Sequence, residues 1–376
     1  MHIPPELIRK IAESIRKSDR ESLRTKTWSN WHRESLELIA LSSVSKMCRE
    51  EIIPVLWSEV FVYSGSWADI HRLERRVGKL LGVLKGSLSK PSYAGHVKHL
   101  SLKLSFKYIY GSPSETLVSH LEELLAISPH LQYLRLSHNE YWLPLLPRLS
   151  SLTLPHLKMI SFHFSPPNKE RSDLLGQFFL NHSGIEDANL SFEGDFDPQA
   201  LRSSDPLPNL HRFEGSLRDL KTLSSGSHLT TVECTIAPRY DQSIDETLAQ
   251  ELSLLANPFP HVTHLYISSR NVPLTSVSLK AIAASFPSLE YIDGLQATKE
   301  YLDFMKTYIE SLSWCLPRLH TLRMYERPKA ENDTRSSRKT DIPSHDDLKR
   351  AFNDSRRLFP SIVQVRLSAQ TSVGTD

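Results

Sequence analysis

Cysteine is scarce in this chain of 376 residues: Cys48, Cys234 and Cys315 stand far apart, with no Cys-x-x-Cys pair. Three thiols cannot all pair internally, so a disulfide-stapled fold is excluded and a reducing compartment, cytoplasmic or nuclear, is expected. Glycine is scarce as well. Its 13 residues include no Gly-x-Gly-x-x-Gly and no Gly-x-x-x-x-Gly-Lys-Ser/Thr, the loops that cradle nucleotide phosphates. Neither sign of charge dominates, since 45 Lys and Arg against 43 Asp and Glu leave a formal +2. A phosphate-tracking surface needs a basic stripe, so no nucleic-acid partner is expected. No run of 18 apolar residues and no basic-then-apolar leader occurs, so neither a membrane span nor a signal peptide is expected. The 17 histidines are scattered, without His-Glu-x-x-His or paired His/Cys spacing, and no Gly-x-Ser-x-Gly elbow or kinase signature set is found. From this the chain is expected to hold no metal or cofactor and to catalyse nothing itself.

What recurs instead is a pattern of apolar residues. After a proline or polar turn, an apolar residue opens a Leu-x-x-Leu-x-Leu run, most clearly at Leu131-Gln132-Tyr133-Leu134-Arg135-Leu136, which continues to Asn139 as leucine-rich repeats do. Looser copies open at Val97, Leu157, Ile185, Leu210, Leu229, Val262, Leu289, Leu319 and Ile362. The spacing runs from 19 to 43 residues and averages about 29, which leaves room for a helix in each unit. Ser112-x-x-Glu115 and Ser243-x-x-Glu246 read as capping boxes. Behind them, Leu117, Leu121, Leu124 and Leu125, and then Leu248, Leu252 and Leu255, mark single helical faces. Pro129, Pro258 and Pro260 end those helices just before the next strand. Helix-then-strand units in series predict a parallel sheet, and units that cannot bury their own apolar faces must stack on their neighbours. An ordinary open α/β domain is the competing arrangement, against which the missing glycine-rich loop counts.

Ahead of the repeats, Ile3, Leu7, Ile8, Ile11 and Ile15 share a face of a helix begun by Pro4 and Pro5, and apolar periodicity resumes at Leu36, Ile39, Ala40, Val44, Ile52, Ile53, Leu56 and Trp57. The polar stretch 17–33 between them reads as an inserted loop. Ile3-Pro4-Pro5-Glu6-Leu7-Ile8, Leu41-Ser-Ser-Val44-Ser45-Lys46 and Pro54-Val55-Leu56-Trp57 together resemble, in order, the opening, middle and close of the F-box family. The resemblance covers about the first 60 residues. It implies a three-helix motif docking a small Skp-type adaptor that links to cullin and RING subunits of an SCF-type ubiquitin ligase, with Ile3, Pro4, Leu7, Ile8, Ile11, Leu41, Val44 and Trp57 as the adaptor-facing set. The competing reading is that these helices only cap the first repeat.

The expected architecture is therefore α/β: an F-box-like motif over 1–62 with its loop at 17–33, a helical linker and cap over 63–96, an irregular leucine-rich-repeat solenoid over 97–370 with a polar insertion at 327–346, and a tail at 371–376. In a Leu-x-x-Leu-x-Leu strand the fourth and sixth places point to the core, so the third and fifth point to the other, concave face. A protein substrate is expected there, on Tyr133, Tyr266 and Tyr291 as apolar anchors, with Arg135 alongside and Asp187, Glu214, Glu233 and Asp293 as an acidic patch. A ligase-independent interaction scaffold is the alternative.

Overall fold

The computed structural model describes residues 3–17, 20–64, 70–86, 92–104, 114–137, 144–164, 169–192, 205–223, 227–236, 244–253, 255, 258–268, 272–273, 275–296, 316–326, 361–362 and 364–369. The expected insertion at 327–346, the tail, Ser112, Ser243 and Cys315 lie outside them. The chain divides into two compact units, Met1–Leu207 and Pro208–Asp376, each built of parallel strands alternating with helices.

The first unit opens with α1 (Pro5–Arg16), α2 (Arg20–Thr25), α3 (Trp28–Ser42) and α4 (Lys46–Leu56). Pro4 and Pro5 start α1 where no amide partner is needed, and Glu6 sits in its first turn, at the positive end of the helix dipole. Thr27 and Ser45 cap α3 and α4 by accepting from the Asn30 and Cys48 amides at 3.3 and 3.0 Å. Ile8, Ala12, Leu38, Cys48, Ile52 and Val55 close a small core, with Ile15, Leu41, Met47 and Leu56 at its margin. The stretch 17–33, read from sequence as an inserted loop, is instead α2 and the first turns of α3. Its partners are remote in sequence, which is why no local periodicity announces it.

Next come β1 (Glu59–Ser64), α5 (Ile70–Lys85), a 3-10 turn at Ala94–His96, β2 (His99–Leu104), α6 (Glu115–Ala126), β3 (Tyr133–Ser137), α7 (Leu146–Ser151), β4 (Met159–Phe164), α8 (Lys169–Asn181) and β5 (Asp187–Phe192). The five strands pair in parallel in chain order. Segment 63–96, expected as linker and cap, therefore holds the end of a strand and α5. β1 precedes the first predicted opening because Trp57-x-x-Val60-x-Val62 is itself a repeat opening with tryptophan in the leucine place. α6 is capped by Ser114, two residues later than expected, which accepts from the Leu117 amide at 3.1 Å.

The second unit contains β6 (Arg212–Gly215), α9 (Leu217–Leu223), β7 (Thr231–Cys234), α10 (Ile244–Ser253), β8 (His264–Ile267), β9 (Val272–Pro273), α11 (Ser276–Ser285), β10 (Tyr291–Gln296), β11 (Thr321–Glu326) and β12 (Gln364–Ala369). Its strands run β6-β7-β8-β10-β11-β12, parallel, with the short β9 beside the end of β10. The register slips between Asp293 and Leu295, where Gly294 adopts a φ of +100°. A Cβ there would lie 2.0 Å from the Ile267 carbonyl oxygen, so only glycine lets the two backbones approach this closely.

The ten predicted opening residues are all buried. The predicted third places align as His99, Tyr133, Met159 and Asp187 in the first unit, and as Arg212, Thr231, His264, Tyr291, Thr321 and Gln364 in the second. The fifth places align likewise, Glu214 beside Glu233, then Tyr266, Asp293, Arg323 and Arg366. Leu100, Leu134, Ile160 and Ala188, and Phe213, Val232, Leu265 and Ile292, occupy the buried fourth places.

Candidate functional site

Two surfaces of the first unit collect most of the residues singled out from sequence. The first is the outer side of the N-terminal helices. Leu7 and Ile11, one turn apart on α1, are exposed by 49% and 43%, and Ile3, just ahead of the helix, is exposed too. Val44 is 70% exposed and Pro4 is exposed. Leu36 and Ile39 of α3, absent from the expected adaptor-facing set, are exposed too. Two members of that set are elsewhere. Ile8, at 3% exposure, is core and cannot face a partner; it lies one helical step from Leu7, and the stripe divides between inside and outside. Trp57 is half-buried and stacks on Tyr93 with ring centroids 5.4 Å apart, at the junction with the strands. Leu41 packs at the margin of the helical core.

The second surface is the third-and-fifth-place face of β1 to β5, and it is not open. Segment 20–31 lies across it. Trp28 stacks with Trp31 and Tyr63 and tilts against Phe61, covering the fifth and seventh places of β1. Leu23 packs with Tyr133 and Met159, the third places of β3 and β4. Arg24 pairs with Asp187, the third place of β5, and its carbonyl accepts from Arg135 Nη1 at 3.1 Å. Tyr133 and Asp187, expected as open substrate contacts, are thus covered by the chain itself, Asp187 to 1% exposure.

Between these surfaces lies a buried ionic cluster. Lys26 Nζ donates to the Arg16 carbonyl at 2.6 Å, to Glu34 Oε2 at 2.9 Å and to Glu59 Oε2 at 2.9 Å. Arg16 donates to Ser35 Oγ at 3.2 Å and to the Leu56 carbonyl at 2.8 Å, with Glu34 and Glu59 each 3.9 Å away. Trp31 Nε1 donates to the Glu59 carbonyl at 3.3 Å. Two cations balance two carboxylates, the condition under which burial of charge is tolerated. Burial nevertheless holds the Arg16 guanidinium below its usual range, against the opposing pull of Glu59 and Glu34. Burial also lifts the Glu34 carboxyl, and Lys26 resists that shift. A small cleft opens beside the cluster, lined by Leu23, Lys26, Trp31, Glu59, His99 and Tyr133 among others.

In the second unit two acids of the expected patch, Glu233 and Asp293, meet cations of neighbouring strands. Glu233 accepts from Arg212 at 3.2 Å and from Ser268 at 2.7 Å. Asp293 is buried, accepts from the Tyr291 hydroxyl at 3.0 Å and has Arg323 at 3.5 Å. Glu214 stands beside Glu233 in register. Tyr291 packs against His264 and Tyr266 of the neighbouring strand, with centroids 5.6 and 5.3 Å apart, so two of the three expected aromatic anchors, Tyr266 and Tyr291, are brought together. Burial and the Asp293 carboxylate both push the Tyr291 phenol up, which keeps it protonated as the donor. The Cys234 thiol is pushed up to about 12 by burial and stays protonated.

No protein-family model matches the chain, and no curated protein matches it in sequence.

Proposed function

We propose that this chain is the non-catalytic substrate-recognition subunit of an SCF-type ubiquitin ligase, its N-terminal helices docking a Skp-type adaptor and its strand faces holding a protein substrate. The observation that carries the reading is the distribution of exposed apolar side chains. Of the eight large hydrophobic residues exposed among the described residues, Ile3, Leu7, Ile11, Leu36, Ile39 and Val44 lie within the first 44 residues, in or beside helices whose inner sides already form a core. A satisfied cap would turn such side chains inward, whereas helices that dock a partner keep them out until it arrives. Ile3, Leu7 and Val44 fall within the F-box-like segments. The chain transfers nothing itself; it raises the local concentration of substrate beside a charged ubiquitin-conjugating enzyme. The alternative, an interaction scaffold independent of any ligase, shares the strand faces and lacks the adaptor.

The test is co-purification with the Skp-type adaptor. Leu7→Asp with Ile11→Asp places two carboxylates in a contact that must be desolvated, and binding should fall on the order of 100-fold or more. Both positions are exposed, so the variant should keep its melting temperature, whereas Ile8→Asp should unfold the helical core. Wild-type protein that never retains the adaptor would leave the scaffold reading in place.

A further inference from the structure

We infer that the third-and-fifth-place face of β2 to β5 is a peptide site whose built-in occupant is α2, displaced by a partner segment carrying an apolar residue followed by arginine. This rests on reading the strand faces as protein-binding, and not on adaptor docking.

Three kinds of recognition converge on two consecutive residues of α2. The Leu23 side chain fills an apolar position between Tyr133 and Met159. The Arg24 guanidinium meets Asp187, and the Arg24 backbone carbonyl is held by Arg135. Side chain, charge and backbone are each read, which is how extended faces of folded proteins take peptides. A buried carboxylate such as Asp187 selects a cation, and arginine is favoured there because its planar fork is weakly hydrated and can serve both oxygens.

The fit of α2 is incomplete. Asp187 Oδ2, Ser101 Oγ and Arg135 Nε are buried beneath it without a hydrogen-bond partner, although Asp187 and Ser101 are each more than nine-tenths buried. Buried polar atoms are normally satisfied, so the face offers more recognition than α2 uses. A helix of six residues has little stability of its own, and it holds its place through these contacts and through its covalent attachment. Attachment at Lys26, which is anchored in the ionic cluster, gives α2 an effective concentration of about a millimolar. A partner segment must exceed that, so occupancy by α2 sets a threshold without closing the site permanently.

The probe is a fluorescein-labelled peptide of residues 20–26, titrated into the full chain and into a variant with its own occupant weakened, Leu23→Ser with Arg24→Ser. The variant is expected to bind at least 10-fold more tightly than wild type. Arg24→Glu in the peptide should abolish binding, and Asp187→Lys in the variant chain should restore binding of that altered peptide while losing the original. Equal binding to wild type and variant, or none to a variant with a normal circular-dichroism melt, overturns the proposal. A second measurement covers the case in which the variant does not fold. In wild-type protein the α2 amides should exchange with deuterium at least 100-fold faster than those of β3 to β5; equal protection means a permanent structural element and also overturns it. Adaptor co-purification of the same variant, run alongside, separates failure here from failure of the ligase-subunit reading.

Discussion

Replacing Lys26 by methionine removes one charge from the ionic cluster and preserves most of its volume. The remaining Glu34 and Glu59 carboxylates then share Arg16, 3.9 Å from each, with His99 Nδ1 3.6 Å from Glu59, and lose three hydrogen bonds of 2.9–3.2 Å. Breaking a buried pair by deleting one partner costs about 3–5 kcal/mol, because the other charge stays buried and uncompensated. Against a total stability of about 5–15 kcal/mol this is a large loss. At a urea slope of about 2 kcal/mol/M it moves the midpoint down by about 1.5–2.5 M. Trp28 and Trp31 pack against the same strand and report the transition by fluorescence. Burial lifts the Glu34 carboxyl, so it takes up a proton more readily than an ordinary glutamate and the loss should be smaller at pH 5 than at pH 7.5. Adding Glu59→Gln restores charge balance and should recover about half of the loss, a coupling that a double-mutant cycle measures. A loss below about 1 kcal/mol for Lys26→Met would refute the reasoning, since that is the value of a solvated surface pair.

Gly294→Ala should cost at least about 3 kcal/mol in a urea melt, since the new methyl meets a backbone carbonyl and the backbone is left-handed. Gly82→Ala, in α5 with open space around it, should instead stabilise by about 0.5–1 kcal/mol. His182 is buried, and the Leu154 amide donates to its Nε2 at 3.1 Å, so Nδ1 carries the proton and donates to the Phe178 carbonyl at 2.7 Å. Burial lowers its pKa, so the unfolded chain takes up a proton that the folded one refuses. Its stabilising contribution is complete above the unfolded value of about 6.5 and is lost as pH falls below it. The melting temperature of wild type should therefore drop more between pH 7.5 and 5.5 than that of His182→Gln.

The repeat register was legible because it is written in local spacing. A period of two within each strand and a buried residue at each opening survive irregular intervals, so Val97 through Ile362 locate ten strands without any tertiary information. β1 escaped because Trp57 served two patterns at once, closing the helical motif and opening a repeat. The helical face was legible in part. Ile3, Leu7 and Ile11 could be placed on one stripe with Ile8, but helical spacing does not say which edge of an apolar stripe meets the core. That depends on where α3 and α4 lie. Which acids of the expected patch find a cation was not legible locally, because Glu233 and Asp293 meet Arg212 and Arg323 on neighbouring strands, about 20 and 30 residues away.

By itself the sequence determined a parallel α/β repeat, its register, and the residues available to its two faces, because backbone pleat and helical pitch convert spacing into direction. Tertiary structure alone decided which of those faces would be covered. Segment 17–33 is polar and aperiodic, and its order comes from contacts across long separations: Lys26 with Glu59, Leu23 with Tyr133, Arg24 with Asp187. Charge pairing and burial at such distances depend on where the strands bring their side chains, and local spacing carries no record of it.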